Sequence, residues 1–256
     1  MTGRRRHGYK PLTLVMIAYA LVLAVGTIAG LVSGIVGTGA TIILLPVLTL
    51  AFGPKAAIPI MAIVALMSNF AKITSWWRDI DWRACAAYGL GGIPGAALGA
   101  RTMLSLPPQL VDIALGSFFL IMIPGRRWLA ARSYKVPLAM LVPAGLAIGF
   151  LTGIVVSTGP ITVPLFTAYG LMKGAFIATE AAASLAVYVS KAATFHTFGA
   201  LPTDIVLKGL ISGSSVMAGT YVAKMVVERL SLAVFQRLLD GVMLLSGCAL
   251  LWAAMR

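Results

Sequence analysis

The chain has 256 residues, of which 60% are hydrophobic and 11% are charged, and its formal net charge is +13. Soluble domains carry roughly 25% charged residues, so this composition excludes an ordinary soluble fold. Much of the positive charge lies before the first apolar run and in a mid-chain connector. Cytoplasmic loops of membrane proteins have this pattern, and it does not indicate a groove for nucleic acid.

Apolar segments follow one another along the chain, five on each side of a basic connector at 126–135. The first five extend over about Leu12 to Val32, Ile35 to Phe52, Ala57 to Trp77, Ala84 to Leu104 and Leu110 to Pro124. The second five extend over about Pro137 to Leu151, Ile154 to Tyr169, Ala175 to Phe198, Ile205 to Val227 and Leu232 to Ala254. We therefore predict an all-α integral membrane protein.

The two sets of segments have matching sequences. The string Gly-Leu-Val-Ser-Gly-Ile-Val at 30–36 aligns with Gly-Phe-Leu-Thr-Gly-Ile-Val at 149–155, and Lys72 pairs with Lys191. This recurrence predicts two homologous transmembrane units, 11–125 and 136–254. If one glycine-interrupted segment in each half stops inside the membrane, the chain has about eight transmembrane helices. Ten short spans are the alternative, and the sequence leaves parallel and inverted repeats both open.

Each unit has a glycine-rich break with hydroxyl side chains beside it. The candidate substrate-binding residues there are Ser33, Gly37, Thr38, Gly39 and Thr41 in the first break, and Ser157, Thr158 and Gly159 in the second. Broken helices in transporters present unpaired backbone N–H groups and a partial positive charge to anionic substrates. Close helix packing uses the same small residues, but their recurrence in both halves favours a pathway for a compact oxyanion.

Three of the charged residues within the apolar segments, Lys72, Lys191 and Glu180, are further candidates. An ammonium such as that of Lys72 or Lys191 is costly in a membrane unless it is paired, hydrated or neutralised by an anion. Snorkelling of both lysines to the headgroups is the alternative. Asn69 lies one helical turn before Lys72 and adds a donor. Glu180 is either a proton-coupling group or a carboxylate near the interface. Proton coupling is considered because low-dielectric surroundings favour the protonated form of a carboxyl group.

Several motifs together resemble those of the sulfite exporter TauE/SafE family, also called the toluene sulfonate uptake permease family. They are Gly34 to Gly39 with Pro46, Thr158-Gly159 with Pro164, and Ile80-Asp81-Trp82-Arg83 followed by Gly92, Gly95, Gly99 and Arg101. The similarity extends roughly from Leu12 to Ala254. It implies a multi-pass permease of the bacterial cytoplasmic membrane for sulfite, thiosulfate or an organosulfonate. Ala40, Val156 and Pro160 stand where the family commonly has glycine, which leaves the cargo open.

These observations predict a secondary transporter and not an enzyme. Cys85 and Cys248 lack the spacing of metal ligands, and we expect neither a metal nor a cofactor. The expected partners are a small anionic substrate and the lipid bilayer but no nucleic acid, and a homodimer is left open. Two alternatives remain, namely an intramembrane enzyme using Ser33 and His196 and an accessory membrane subunit.

Overall fold

The fold is a bundle of α-helices in the part of the chain that the computed structural model describes. That part comprises residues 12–37, 39–103, 135–154 and 158–227, with single helical residues at 117, 120, 121, 124, 234, 237, 244, 248 and 252. The helices are α1 Leu12–Val36, α2 Ala40–Phe52, α3 Pro54–Trp76, α4 Trp82–Met103, α5 Leu141–Ile154, α6 Gly159–Tyr169, α7 Lys173–Thr197 and α8 Thr203–Val227. Short 3₁₀ turns occupy Trp77–Asp79 and Leu138–Met140. The prediction of an all-α protein is confirmed for these residues, whereas the basic connector before Lys135 lies outside them.

Three of the helices are long and apolar enough to cross a membrane. The qualifying stretches are Met16–Ile35 in α1, Ala56–Asp79 in α3 and its 3₁₀ turn, and Thr203–Val226 in α8. By contrast, α2 and α6 have 13 and 11 residues, which gives lengths of about 20 and 17 Å. Both are shorter than the hydrocarbon core of a bilayer, roughly 30 Å thick.

The two breaks lie slightly later than the sequence motifs suggest. Helix α1 continues through the Ser33-Gly34 pair, and the first break falls between Val36 and Ala40. Gly37 and Gly39 have φ angles of 81° and 115° there, in the left-handed region that only glycine adopts at no steric cost. The second break separates α5 from α6. In α6, proline occupies one of the first two helical positions, where its missing N–H removes no helical hydrogen bond.

Glycine stripes allow two helix pairs to approach closely. Helix α1 packs along α8, and α5 packs along α4. A Cβ atom at Gly30 would lie 2.1 Å from the carbonyl oxygen of Val216, and one at Gly149 would lie 2.3 Å from that of Gly92. The stripes repeat every four residues, at Gly26, Gly30 and Gly34 in α1 and at Gly145, Gly149 and Gly153 in α5. Small residues at this spacing are typical of packed membrane helices.

Two hydrophobic clusters flank the middle of the bundle. One is built around Leu44, Leu48 and Ile60, mainly from α1, α2, α3 and α8. The other is built around Phe166 and Phe176, mainly from α4, α5, α6 and α7. Helices α3 and α7 contact each other, and each carries buried polar side chains.

The short loop between α3 and α4 is held to α6 and α7 by hydrogen bonds of Asp81. Asp81 Oδ1 accepts hydrogen bonds from the backbone N–H groups of Arg83 and Ala84, and so caps the first turn of α4. Asp81 Oδ2 accepts one from the Tyr169 hydroxyl at 3.0 Å. The Asp81 backbone N–H donates to Thr179 Oγ1 at 2.9 Å. The loop is therefore fixed to the end of α6 and the start of α7.

Candidate functional site

A small polar cavity lies where the two helix breaks face α3 and α7. The first break and its flanks contribute Ser33, Gly37, Gly39, Ala40 and Thr41, and the second contributes Thr158 and Gly159. The walls come from α3 (Met61, Val64, Ala65, Ser68, Asn69 and Lys72) and from α7 (Glu180, Ser184 and Tyr188). The cavity volume is about 30 Å³, which is room for about two or three water molecules.

Two helix N-termini meet at this cavity. Helix α2 begins after Gly39 and α6 begins after Thr158, and neither of these residues caps its helix with a side chain. The first N–H groups of a helix have no intrahelical acceptor, and the helix dipole places a partial positive charge on them. The two N-termini therefore favour a negative group in the space between them.

Lys72 adds a full positive charge to the same cavity. Its side chain is only 4% exposed, so it does not snorkel to the membrane surface. Its ammonium donates to the backbone carbonyl of Gly37 at 2.7 Å and to Asn69 Oδ1 at 3.4 Å. An ammonium has three N–H donors, and these two bonds leave one for a ligand.

Lys191 is also buried but occupies a different position. It is 1% exposed, donates to the backbone carbonyl of Thr152 at 2.8 Å and lies over the Phe195 ring, 5.4 Å from its centroid. It does not line the cavity. Both lysines thus donate to a carbonyl at the C-terminal end of the helix before a break, where carbonyls lack intrahelical partners and the dipole favours a cation. Snorkelling is excluded for Lys191 as well.

Glu180 is an acidic side chain in the cavity wall. It is 4% exposed, so its carboxylate is enclosed by other protein groups. Its Oε1 atom accepts hydrogen bonds from Thr162 at 3.0 Å and Ser184 at 2.9 Å. Its Oε2 atom is buried and has no hydrogen-bond partner in the described part of the chain, and the same holds for Ser68 Oγ. Two buried polar atoms of the cavity wall therefore have no partner within the described protein, and a water molecule or a ligand in the cavity would supply one.

The structure brings together most of the residues that the sequence motifs indicated. Of the candidates in the two breaks, all except Thr38 and Ser157 line the cavity, and those two lie outside the described residues. The packing interpretation holds for two motif glycines instead: a Cβ at Gly34 would lie 2.5 Å from the Ala223 side chain, and one at Gly153 would lie 2.4 Å from a backbone nitrogen of α4. Each motif therefore combines a packing glycine with cavity-lining residues.

Sequence reasoning missed three polar residues of the walls, Ser68, Ser184 and Tyr188. Ser68 lies one helical turn before Lys72, and Ser184 lies one turn after Glu180. The helical period of 3.6 residues places such neighbours on one face, and this signal could have found them. Met61, Val64 and Ala65 complete the α3 wall with apolar atoms, which no chemical motif would have indicated.

The pair of residues suggested for an intramembrane enzyme is not assembled. Ser33 is buried in the cavity wall, whereas His196 is exposed in the last turn of α7. No hydrogen bond between these two described residues is present. A nucleophile needs its base within hydrogen-bond reach, and this pair does not meet that requirement.

Comparison with known proteins supports the resemblance in the motifs. A family model for the sulfite exporter TauE/SafE family matches residues 22–250, nearly the whole chain. Searches of curated proteins and of solved structures found no match. The family match and the apolar helices show a multi-pass membrane protein of a transporter family. The chain belongs to the TauE/SafE sulfite exporter family.

Proposed function

We propose that this protein is a secondary permease of the bacterial cytoplasmic membrane that carries a small sulfur-containing anion. Sulfite, thiosulfate and a short organosulfonate are the substrates that we consider. The anion binds between the two halves of the chain, at the cavity described above. The main support is one observation: the N-termini of α2 and α6 and the ammonium of Lys72 converge on the same cavity.

The physical chemistry of the cavity suits an anion. Backbone N–H groups at helix starts, hydroxyls and an ammonium are all hydrogen-bond donors. Charge-assisted hydrogen bonds of this kind are roughly twice as strong as neutral ones. The volume of about 30 Å³ favours an anion of a few heavy atoms over an aromatic sulfonate. The name of the family supplies sulfite as the first candidate.

We further propose that α1–α4 and α5–α8 are equivalent parts of two repeats. The contacts support this, because α1 packs on α8 as α5 packs on α4, and α3 packs on α8 as α7 packs on α4. Lys72 and Lys191 also donate to carbonyls at equivalent helix ends. In this arrangement α2 and α6 stop inside the membrane and the other six helices cross it. The fifth apolar segment of each half, which lies outside the continuously described ranges, brings the number of crossings to eight. Repeats of this kind commonly place the substrate between them.

Transport by the purified protein tests the proposal. We would reconstitute the chain in lipid vesicles and measure uptake of radiolabelled sulfite, thiosulfate, sulfoacetate and methanesulfonate. We expect saturable uptake of at least one of these anions, above that of vesicles without protein. Uptake equal to the protein-free background for all four would refute the proposed function. Uptake by the chain alone would also argue against the accessory-subunit alternative.

A competition experiment tests the cargo class separately. Unlabelled chloride, sulfate and phosphate would be added at equal concentration during uptake of the best labelled sulfur anion. We expect the unlabelled sulfur anion to compete more strongly than these three. Equal competition by phosphate or chloride would support an anion permease but contradict the preference for sulfur compounds.

A further inference from the structure

We infer that Glu180 carries a proton together with the anion. Its protonated carboxyl donates a hydrogen bond from Oε2 to the bound anion, and the proton and the anion cross the membrane together with no net charge. The inference rests on the proposed function and adds to it the coupling ion and the charge of the substrate. It follows from the position of Glu180 in the wall of the cavity that also contains Lys72.

The hydrogen bonds of Glu180 are asymmetric. Oε1 accepts from two hydroxyls, those of Thr162 and Ser184, whereas buried Oε2 has no partner in the described part of the chain. A carboxylate oxygen left without a donor in a buried site is costly. A proton on Oε2 removes the charge, and the resulting O–H group then needs an acceptor. An oxyanion in the cavity supplies that acceptor.

Within the described ranges, few charged or titratable groups lie around Glu180. Lys72 faces it from α3, and Cys85 and Tyr88 face it from α4, close enough for electrostatic interaction with its carboxylate. Tyr188 lines the same cavity from α7. The neighbouring parts of α1, α2 and α6 contribute hydroxyl groups and backbone. Lys72 is thus the one basic side chain among the described residues that line the cavity.

The charge balance of the cavity couples the proton to the anion. When the site is empty, the ammonium of Lys72 and the carboxylate of Glu180 sum to zero. When a monovalent anion and a proton are both bound, the ammonium, the neutral carboxyl and the anion again sum to zero. Either ligand alone leaves one net charge in a low-dielectric site, which is costly. We therefore expect the protein to switch the cavity from one side of the membrane to the other when the site is empty or when it holds both the proton and the anion.

The same argument specifies one proton and a monovalent anion. At the position that corresponds to Glu180 under the Lys72 to Lys191 offset, α3 carries Met61, which also faces the cavity. The described lining therefore contains one carboxyl group. The proton comes from water on one side, forms the O–H bond of the carboxyl and is released to water on the other side. A hydrogensulfite ion or a short sulfonate meets the charge requirement, whereas doubly charged thiosulfate does not.

Proton and anion movements would be measured in the same vesicles. Methanesulfonate is the probe, because it is monovalent at every usable pH, and a trapped pH-sensitive dye reports the proton. For the wild type we expect one proton per anion and uptake that is insensitive to a membrane potential set with potassium and valinomycin. In Glu180→Gln we expect the ratio to fall to zero and the remaining uptake to depend on the potential. In Asp204→Asn, the matched carboxyl-to-amide control at an exposed position outside the cavity lining, we expect the ratio to stay at one.

The outcomes separate this inference from the proposed function. If the wild type takes up thiosulfate but not methanesulfonate, the protein is still a permease for sulfur anions, but the inference is overturned. A ratio of one that persists in Glu180→Gln would also overturn it, as would methanesulfonate uptake driven by a sodium gradient and not by protons. Absence of uptake for every sulfur anion would refute both.

A second measurement on the wild-type protein covers the case in which Glu180→Gln does not fold. An apolar carbodiimide forms an N-acylurea with protonated carboxyl groups in apolar surroundings, and mass spectrometry locates the product. We expect labelling at Glu180 at the acid end of the pH range of transport, where the carboxyl of the empty site gains a proton, and protection by saturating methanesulfonate, because the bound anion covers Oε2. No labelling of Glu180 across the pH range of transport, or labelling that sodium but not methanesulfonate suppresses, would overturn the inference.

Discussion

Replacing Lys72 by methionine removes the one full positive charge that we assign to anion binding. Methionine retains most of the length and apolar volume of the lysine stem, so the α3 wall keeps its packing. The ammonium lies beside the first break, 2.7 Å from the carbonyl of Gly37. We expect Lys72→Met to weaken anion binding strongly while leaving the overall fold in place.

The size of the effect follows from the bond that is lost. A hydrogen bond to a charged group contributes about 1.5–3 kcal/mol, which corresponds to a roughly 10- to 150-fold increase in Kd. The substitution also leaves the Gly37 carbonyl without the hydrogen bond from Lys72. We therefore expect an additional loss of about 1–3 kcal/mol in the free energy of unfolding.

The assay is binding of radiolabelled sulfite to purified protein in detergent, with thermal unfolding of the same samples. Lys208→Met is the matched control, since Lys208 lies outside the cavity lining and forms an ion pair with exposed Asp204 at 3.0 Å. An exposed pair of this type is screened by solvent and contributes little to stability, and we expect no change in Kd. A change in Kd of under about threefold in Lys72→Met, with the protein folded, would refute the role of Lys72.

Two further predictions concern the packing that holds the site. Gly149→Ala places a methyl group 2.3 Å from a carbonyl oxygen of α4. We expect the free energy of unfolding in detergent to fall by about 1–3 kcal/mol. Gly89 also lies in a helix, but a Cβ atom there would meet no atom of another helix within 4 Å. Gly89→Ala should therefore be neutral or slightly stabilising, and equal losses in the two variants would contradict this account. Asp81→Ala and Tyr169→Phe should show a coupling of about 1 kcal/mol in a double-mutant cycle, because one hydrogen bond joins the two side chains. Additive losses would mean that this hydrogen bond does not stabilise the loop.

The sequence alone determined the class of fold and the identity of most residues at the candidate site. Long apolar runs with few charges can be stable only as membrane helices, because the backbone must satisfy its own hydrogen bonds in lipid. Glycine and hydroxyl residues clustered at two matching places indicated the breaks. The predicted segment from Ala57 to Trp77, for example, agrees closely with α3, Pro54–Trp76.

Only the tertiary structure decided which of those residues share a cavity. Gly34 and Gly39 belong to one motif, but Gly34 packs against α8 whereas Gly39 begins α2 at the cavity. Lys72 and Lys191 are matched in sequence, yet only Lys72 lines the cavity. Which face of a helix meets which neighbour depends on contacts between helices that are distant along the chain. The sequence of apolar and small residues does not indicate which face makes those contacts, because such residues can pack against lipid as well as against another helix.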